Sequence, residues 1–150
     1  MLTLENLAEL HARYPDSTPA RVREFSVDGR LLDFNSRPCV MGVINLSPDS
    51  WYRESVCLTT EQAIRRGRVL MAQGADLVDV GAESTLGHAE RLDPQRQRAR
   101  LEPVIYGLRS AGVPVSVETY SPEVARAALE AGANILNLTG PAHAKHVYDL

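Results

Sequence analysis

The chain predicts an α/β fold built on a parallel sheet, and three features of the sequence carry that prediction. Short runs rich in Val, Ile and Leu recur at 40–45, 75–83, 113–119 and 133–139, each the length of a buried strand. Segments with helical period lie between them, so strand and helix alternate, the pattern that feeds a parallel sheet through right-handed crossovers. Each run carries a polar side chain at or near its end: Asn45, Asp79, Glu118 and Asn137. The carboxyl ends of parallel strands are where open and closed α/β folds build their sites.

The elements follow in order. Residues 3–14 read as a short amphipathic helix and 15–19 as a loop. Val22–Val27 and Arg30–Phe34 flank Asp28-Gly29, the dipeptide of a type I′ hairpin. In a barrel such a hairpin covers the bottom opening or sits as an edge ornament. Thr59-x-x-Gln62 reads as a capping box opening a helix whose small face is Ala63, Gly67, Leu70, Met71 and Gly74. Asp93-Pro94 supplies an N-cap and a proline at the first helical position. That helix runs to Ser110, bent or split before Pro103 because the ring removes a backbone donor, and Gly112 ends it. Ser121-Pro122 opens the next helix, with Val124, Ala127, Ala128 and Ala131 on one face and Gly132 as the stop.

Composition narrows the function. A 150-residue chain with 44% hydrophobic and 23% charged residues is ordinary for one globular domain, and a formal charge of −3 gives no electrostatic footprint for nucleic acid. The clusters Arg65-Arg66-x-Arg68 and Arg96-x-Arg98-x-Arg100 read as solvated helix faces. No signal peptide is evident and no apolar run approaches the ~20 residues of a membrane span, so a cytoplasmic protein is expected. Cys39 and Cys57 lack metal-ligand spacing and give no disulfide framework. His143-x-x-His146 has no third ligand, and His88 reads as an exposed loop residue or a substrate contact.

Each polar strand end also has a plain structural reading. Asn45 can cap the Ser47-Pro48-Asp49 turn, Asp79 can accept backbone N–H groups, Glu118 can be a surface acid and Asn137 a loop residue. Their shared placement at successive strand ends favours a site. Buried polar groups of this kind are costly unless paired, and a bound heterocycle is one way to pair them.

The segments Met41-Gly-Val-Ile-Asn-Leu-Ser-Pro-Asp-Ser50, Gly74-Ala-Asp-Leu-Val-Asp-Val-Gly-Ala-Glu-Ser-Thr85, Glu102-Pro-Val-Ile105, Val115-Ser-Val-Glu-Thr-Tyr120 and Ala131-Gly-Ala-Asn-Ile-Leu-Asn137 resemble, in order and spacing, the amino-terminal half of dihydropteroate synthases. The resemblance covers about residues 31–140. It implies a (β/α)8 TIM barrel, of which this chain supplies about the first four β/α units after an N-terminal helix and β-hairpin. The domain reading is then 1–36 for the helix and hairpin extension and 37–150 for the amino-terminal part of a pterin-binding barrel.

The same resemblance implies folate biosynthesis: a hydroxymethyl-dihydropterin pyrophosphate condensed with 4-aminobenzoate, with Mg2+ assisting departure of pyrophosphate. By family position Glu118 and Asn137 hold the pterin, and Asn45 meets the Mg2+ and pyrophosphate. Asp79 supports the pterin or the neighbouring loops, while Thr85 contacts the pyrophosphate or amine region. Carboxylates beside amides are the right types for a pyrimidinone edge, which presents an amino group, ring N–H groups and a carbonyl. The expected partners are a pterin or folate small molecule, no nucleic acid or membrane, and a second copy in a homodimer or a carboxyl-half partner.

Departures from the family pattern gather near the site. Trp51-Tyr-Arg-Glu-Ser55 stands where Phe-Ser-Asp-Gly-Gly is usual, and Trp51 and Tyr52 read as a lid or as loop packing. Leu86 replaces an arginine that Leu cannot match as an anion partner. Glu118 replaces Asp, and Leu138 replaces the Asp of Asn-Asp. Two alternatives follow: a non-catalytic pterin-binding or partner subunit, and a methyltetrahydrofolate-dependent methyltransferase with a corrinoid partner. A full barrel takes about 250 residues, so four units leave a half barrel and the reading is a fragment.

Overall fold

The computed structural model describes residues 2–84, 89 and 91–138. The chain divides into two compact units, Met1–Pro38 and Cys39–Leu150.

In the first unit, α1 (Leu4–Arg13) opens on a reciprocal capping box: the Thr3 hydroxyl accepts from the Asn6 N–H, and the Asn6 side chain accepts from the Thr3 N–H. The predicted amphipathic stripe exists, but Leu4, Leu7 and Leu10 are all exposed. A 3-10 turn at Pro15–Ser17 occupies the expected loop. The hairpin of β1 (Phe25–Val27) and β2 (Arg30–Leu32) forms as predicted, with Asp28 at φ 54° and Gly29 at φ 75°, the two positive φ values a type I′ turn requires. The Asn35 amide accepts from the Val22 N–H and donates to the Val22 carbonyl, closing the segments on each side of the hairpin.

The second unit is a four-stranded parallel sheet in the order β3 (Met41–Asn45), β4 (Leu77–Gly81), β5 (Val115–Thr119) and β6 (Ile135–Leu138). Between them run α2 (Thr60–Ala72), α3 (Pro94–Ser110) and α4 (Pro122–Glu130). Each helix starts where a hydroxyl or carboxylate accepts a first-turn N–H: Thr59 from Gln62, Asp93 from Arg96, Ser121 from Val124. Each gives way to a glycine at positive φ: Gly74, Gly112 and Gly132.

Three local expectations are corrected. Gly74 lies past the end of α2 in the left-handed region, so it stops the helix and does not share its buried face. The Thr59 capping box is half made, because the Gln62 side chain accepts from the Leu58 N–H in place of Thr59. Helix α3 continues through Pro103 unbroken. Pro103 and Ala99 both lie on its exposed side, so the carbonyl that loses its donor is reached by water.

The register sorts side chains onto two faces. In parallel pairing Asn45 lies beside Gly81, Val43 beside Asp79, Asp79 beside Ser116, Gly81 beside Glu118, and Glu118 beside Asn137. These residues share one face, here called inner. Side chains alternate along a strand, so Ile44, Val78, Val80, Val115 and Val117 point the other way. There they form the core with Ala63, Leu101, Val104, Ile105, Leu108, Val124 and Ala128. A fully buried aliphatic side chain contributes about 1.5–3 kcal/mol, so this helix-side layer carries most of the stability of the second unit. Gly67 and Gly107 let α2 and α3 close on each other. A Cβ at Gly67 would lie 2.3 Å from Leu108 Cδ2, and one at Gly107 would lie 2.1 Å from Ile64 Cδ1.

Candidate functional site

The inner face gathers polar side chains from all four strands, where the helix-side face is mostly apolar core. Asp79 is 4% exposed. Its Oδ2 accepts from Asn137 Nδ2 at 3.1 Å, across two strands, while its Oδ1 is buried with no hydrogen-bond partner among the described residues. A carboxylate only accepts, so this contact assigns the Asn137 amide nitrogen to Asp79 and leaves Asn137 Oδ1 as a further acceptor. Beside Asp79 in register, the Ser116 hydroxyl is also buried and unpartnered. Two such orphans cost on the order of 1–3 kcal/mol each unless something pairs them.

One turn of pleat toward the strand ends, Glu118 and Asn45 converge over Gly81. The position a Cβ would take at Gly81 is 3.0 Å from Glu118 Oε2 and 3.6 Å from Asn45 Oδ1. The missing side chain at 81 is what lets a carboxylate as long as glutamate lie across the sheet. Asn45 Nδ2 donates to Ser55 Oγ at 2.6 Å, and Ser55 Oγ donates to the Tyr52 carbonyl at 2.6 Å. Because that hydroxyl spends its proton on Tyr52, it must accept from Asn45, which fixes the amide and turns its Oδ1 toward Gly81. Asn45 therefore does not cap the following turn; Ser47 does, its hydroxyl accepting from the Asp49 N–H at 3.2 Å.

Loops past the strand ends are tied together by polar contacts. Ser84 Oγ donates to the Asp49 carbonyl at 3.4 Å, joining the loops after β3 and β4. Glu83 accepts from the Leu92 N–H at 3.2 Å and from Gln97 Nε2 at 3.4 Å. Gln97 in turn donates to the Leu92 carbonyl and accepts from the Thr119 hydroxyl. Arg91 donates through Nη1 to the Ser84 carbonyl at 3.3 Å, lies 3.6 Å from Glu83 Oε1, and places its guanidinium 5.8 Å from the centre of the Tyr120 ring. Arg53 donates through Nη1 to the Pro48 carbonyl. Trp51 is 76% exposed and meets Tyr52 at 6.2 Å between ring centres, so it does not pack the loop.

Of the predicted site residues, Asn45, Asp79, Glu118 and Asn137 are brought onto one face; Thr85 lies outside the described residues, as do Leu86, His88, His143 and His146. Leu138 is corrected. It pairs with Thr119, whose hydroxyl meets Gln97 of α3, so it sits on the helix side and not among the inner-face polar groups. Ser116 and Gly81 were missed, although period-two counting back from Glu118 and across the register finds both. Glu83, Gln97 and Arg91 were missed because their partners are loop atoms that no periodicity marks. In the arginine cluster on α2, Arg65 and Arg68 are exposed as expected, and Arg66 is half-buried, its Nε buried with no partner among the described residues. Among the described residues no three His, Cys, Asp or Glu side chains are grouped to hold a metal, and no helix is long and apolar enough to cross a membrane.

The family described as pterin binding enzyme matches residues 41–145. The chain belongs to the pterin-binding enzyme family. It is 38% identical to the dihydropteroate synthase of Xanthomonas albilineans solved with 4-aminobenzoic acid, at a TM-score of 0.71, covering 85% of this chain and 49% of that one. The dihydropteroate synthase of Thermus thermophilus solved with 6HMPPP is also 38% identical, at a TM-score of 0.65, covering 83% of this chain and 43% of that one. A mitochondrial folate synthesis bifunctional protein of Arabidopsis thaliana is 37% identical over 121 residues, 77% of this chain and 22% of its own. The chain thus spans less than half the length of these pterin-binding relatives. Its four parallel strands and three helices are the first part of their TIM barrel.

Proposed function

We propose that this chain forms the pterin pocket of a dihydropteroate synthase, holding a hydroxymethyl-dihydropterin pyrophosphate for attack by 4-aminobenzoate. The observation that carries this reading is the Asp79 carboxylate, buried, bonded on one oxygen to Asn137 and orphaned on the other, on the same face as Glu118. Acceptors at that depth suit the amino group and ring N–H groups of a pterin, and the orphan oxygen gains a partner when such a donor binds. Asn137 Oδ1 is one more acceptor, and Glu118, laid across Gly81, closes the set near the strand ends.

Asn45 Oδ1, fixed by Ser55 near the mouth, fits a Mg2+ ion, which usually takes one or two protein oxygens and completes its shell with substrate phosphates and water. When bound there, the ion supplies charge that helps pyrophosphate leave. This chain's own residues bind and orient: the carboxylates fix the ring, and the tied loops hold the ester carbon where the amine nitrogen reaches it. The new C–N bond forms as the C–O bond to pyrophosphate breaks, and the proton the amine loses passes to the departing pyrophosphate or to water.

Titration calorimetry of the full chain with the pterin pyrophosphate and Mg2+ tests the reading, with Asn137→Ala as the control. Saturable binding that the substitution weakens about tenfold or more, the scale of a lost charged hydrogen bond, is expected. Absence of binding to a folded chain overturns it.

A further inference from the structure

Two arginines stand at the mouth on either side of one contact. Ser84 Oγ meets the Asp49 carbonyl; Arg91 is bound to the carbonyl of Ser84 itself, and Arg53 to the carbonyl of Pro48, the neighbour of Asp49. Both guanidinium groups are therefore tied to carbonyls at or next to a single loop-to-loop junction past the ends of β3 and β4.

Arg91 is held more firmly than a surface arginine needs to be. The Ser84 carbonyl and the Glu83 carboxylate both engage its Nη1, and the Tyr120 ring lies beside its plane. A guanidinium carries five N–H donors in a fixed fork, and Nε and Nη2 make no hydrogen bond among the described residues. The side chain keeps 54% of its surface exposed, whereas that of Glu83 keeps 8%. Glu83 is itself shared with the Leu92 N–H and Gln97, so it anchors the arginine without using up its donors. A tethered, half-exposed cation with donors to spare, beyond the end of a parallel sheet, suits an anion.

We propose that Arg91, assisted by Arg53 across the Asp49–Ser84 contact, binds the multiply charged pyrophosphate of the pterin ligand. Arg91 thereby supplies from position 91 a cationic contact that Leu86 cannot make. This inference rests on the pterin reading of the inner face. It assigns Arg91 to binding the charged tail and gives it no part in holding the ring.

The test compares two ligands on the full chain: neutral hydroxymethyl-dihydropterin and its pyrophosphate ester, the latter with Mg2+. Arg91→Ala is expected to weaken the ester about tenfold while leaving the neutral pterin within about twofold, and Arg91→Lys to restore part of the loss. In the unaltered protein, raising salt from low to physiological ionic strength is expected to weaken the ester more than the neutral pterin, a result that needs no variant to fold. Equal loss of both ligands in Arg91→Ala means that Arg91 only organises the loop through Glu83 and Tyr120, and overturns the proposal. No loss of either overturns it also. If the unaltered protein binds neither ligand, the pterin reading itself has failed, an outcome distinct from both.

Discussion

The two faces of the four-stranded sheet are made from the same strands and answer to opposite demands. Toward the helices the central positions are apolar and closed, and Ile44, Val78, Val80, Val115 and Val117 show no exposed surface at all. On the inner face the same strands present Asp79, Ser116, Glu118 and Asn137, and two of those groups bury an atom or more without a partner. One face is optimised for folding and the other gives up stability to keep hydrogen-bonding capacity in reserve. Unsatisfied groups of this kind persist in native proteins mainly where function uses them.

The contrast is broken most directly by cutting into the helix side. Ile105→Ala, at a fully buried position in α3, is expected to cost about 2–5 kcal/mol in urea unfolding. Gly67→Ala comes next, at about 1–3 kcal/mol, because the new methyl meets Leu108 at a distance the core must yield to accommodate. On the inner face the order of effects reverses. Asp79→Asn is expected to change stability by less than about 1 kcal/mol, since an amide keeps the acceptor for Asn137 and offers a donor toward Ser116. It should nonetheless weaken the pterin pyrophosphate by about tenfold or more in the same calorimetric titration. A large stability loss with unchanged ligand binding would mean that Asp79 is structural.

The smallest effect concerns pH. Burial pushes the Cys57 thiol up, with the charge of Arg66 pulling it partly back. The folded chain thus holds that proton more tightly than the unfolded one. Its contribution to stability is complete below the ordinary thiol range near ~8.5 and is lost as pH rises from there to the raised value of the folded chain. Urea midpoints between neutral and alkaline pH should fall more steeply in the unaltered chain than in Cys57→Ala. Equal slopes would show that this corner of the core is wet.

Most of the fold could be read in advance because its signals are local. Strand composition, an N-cap at each helix and a glycine after each one are statements about a few consecutive residues, and the Asp28-Gly29 turn is another. What failed needed a third dimension. Pro103 costs its helix less where the freed carbonyl is open to water, and the exposure of Ala99 is invisible to a count along the chain. Leu138 looked like a change within the site because it follows Asn137, yet adjacent residues in a strand face opposite ways. The placement of Asn45, Asp79, Glu118 and Asn137 on one face was legible from their position at strand ends. The contacts of Glu83 with Leu92 and Gln97 were not, since they join a strand end to a loop and the next helix.

Gly81 sets an order on how this pocket can change. With Glu118 Oε2 3.0 Å from where a methyl would stand, alanine at 81 requires the end of the Glu118 side chain to give by a few tenths of an ångström. Shortening the acid to aspartate first vacates that space for the methyl; adding the methyl first makes the Glu118 carboxylate shift. The residue at 81 thus sets how far a long acid at 118 can lie across the sheet, and the two positions are best varied together.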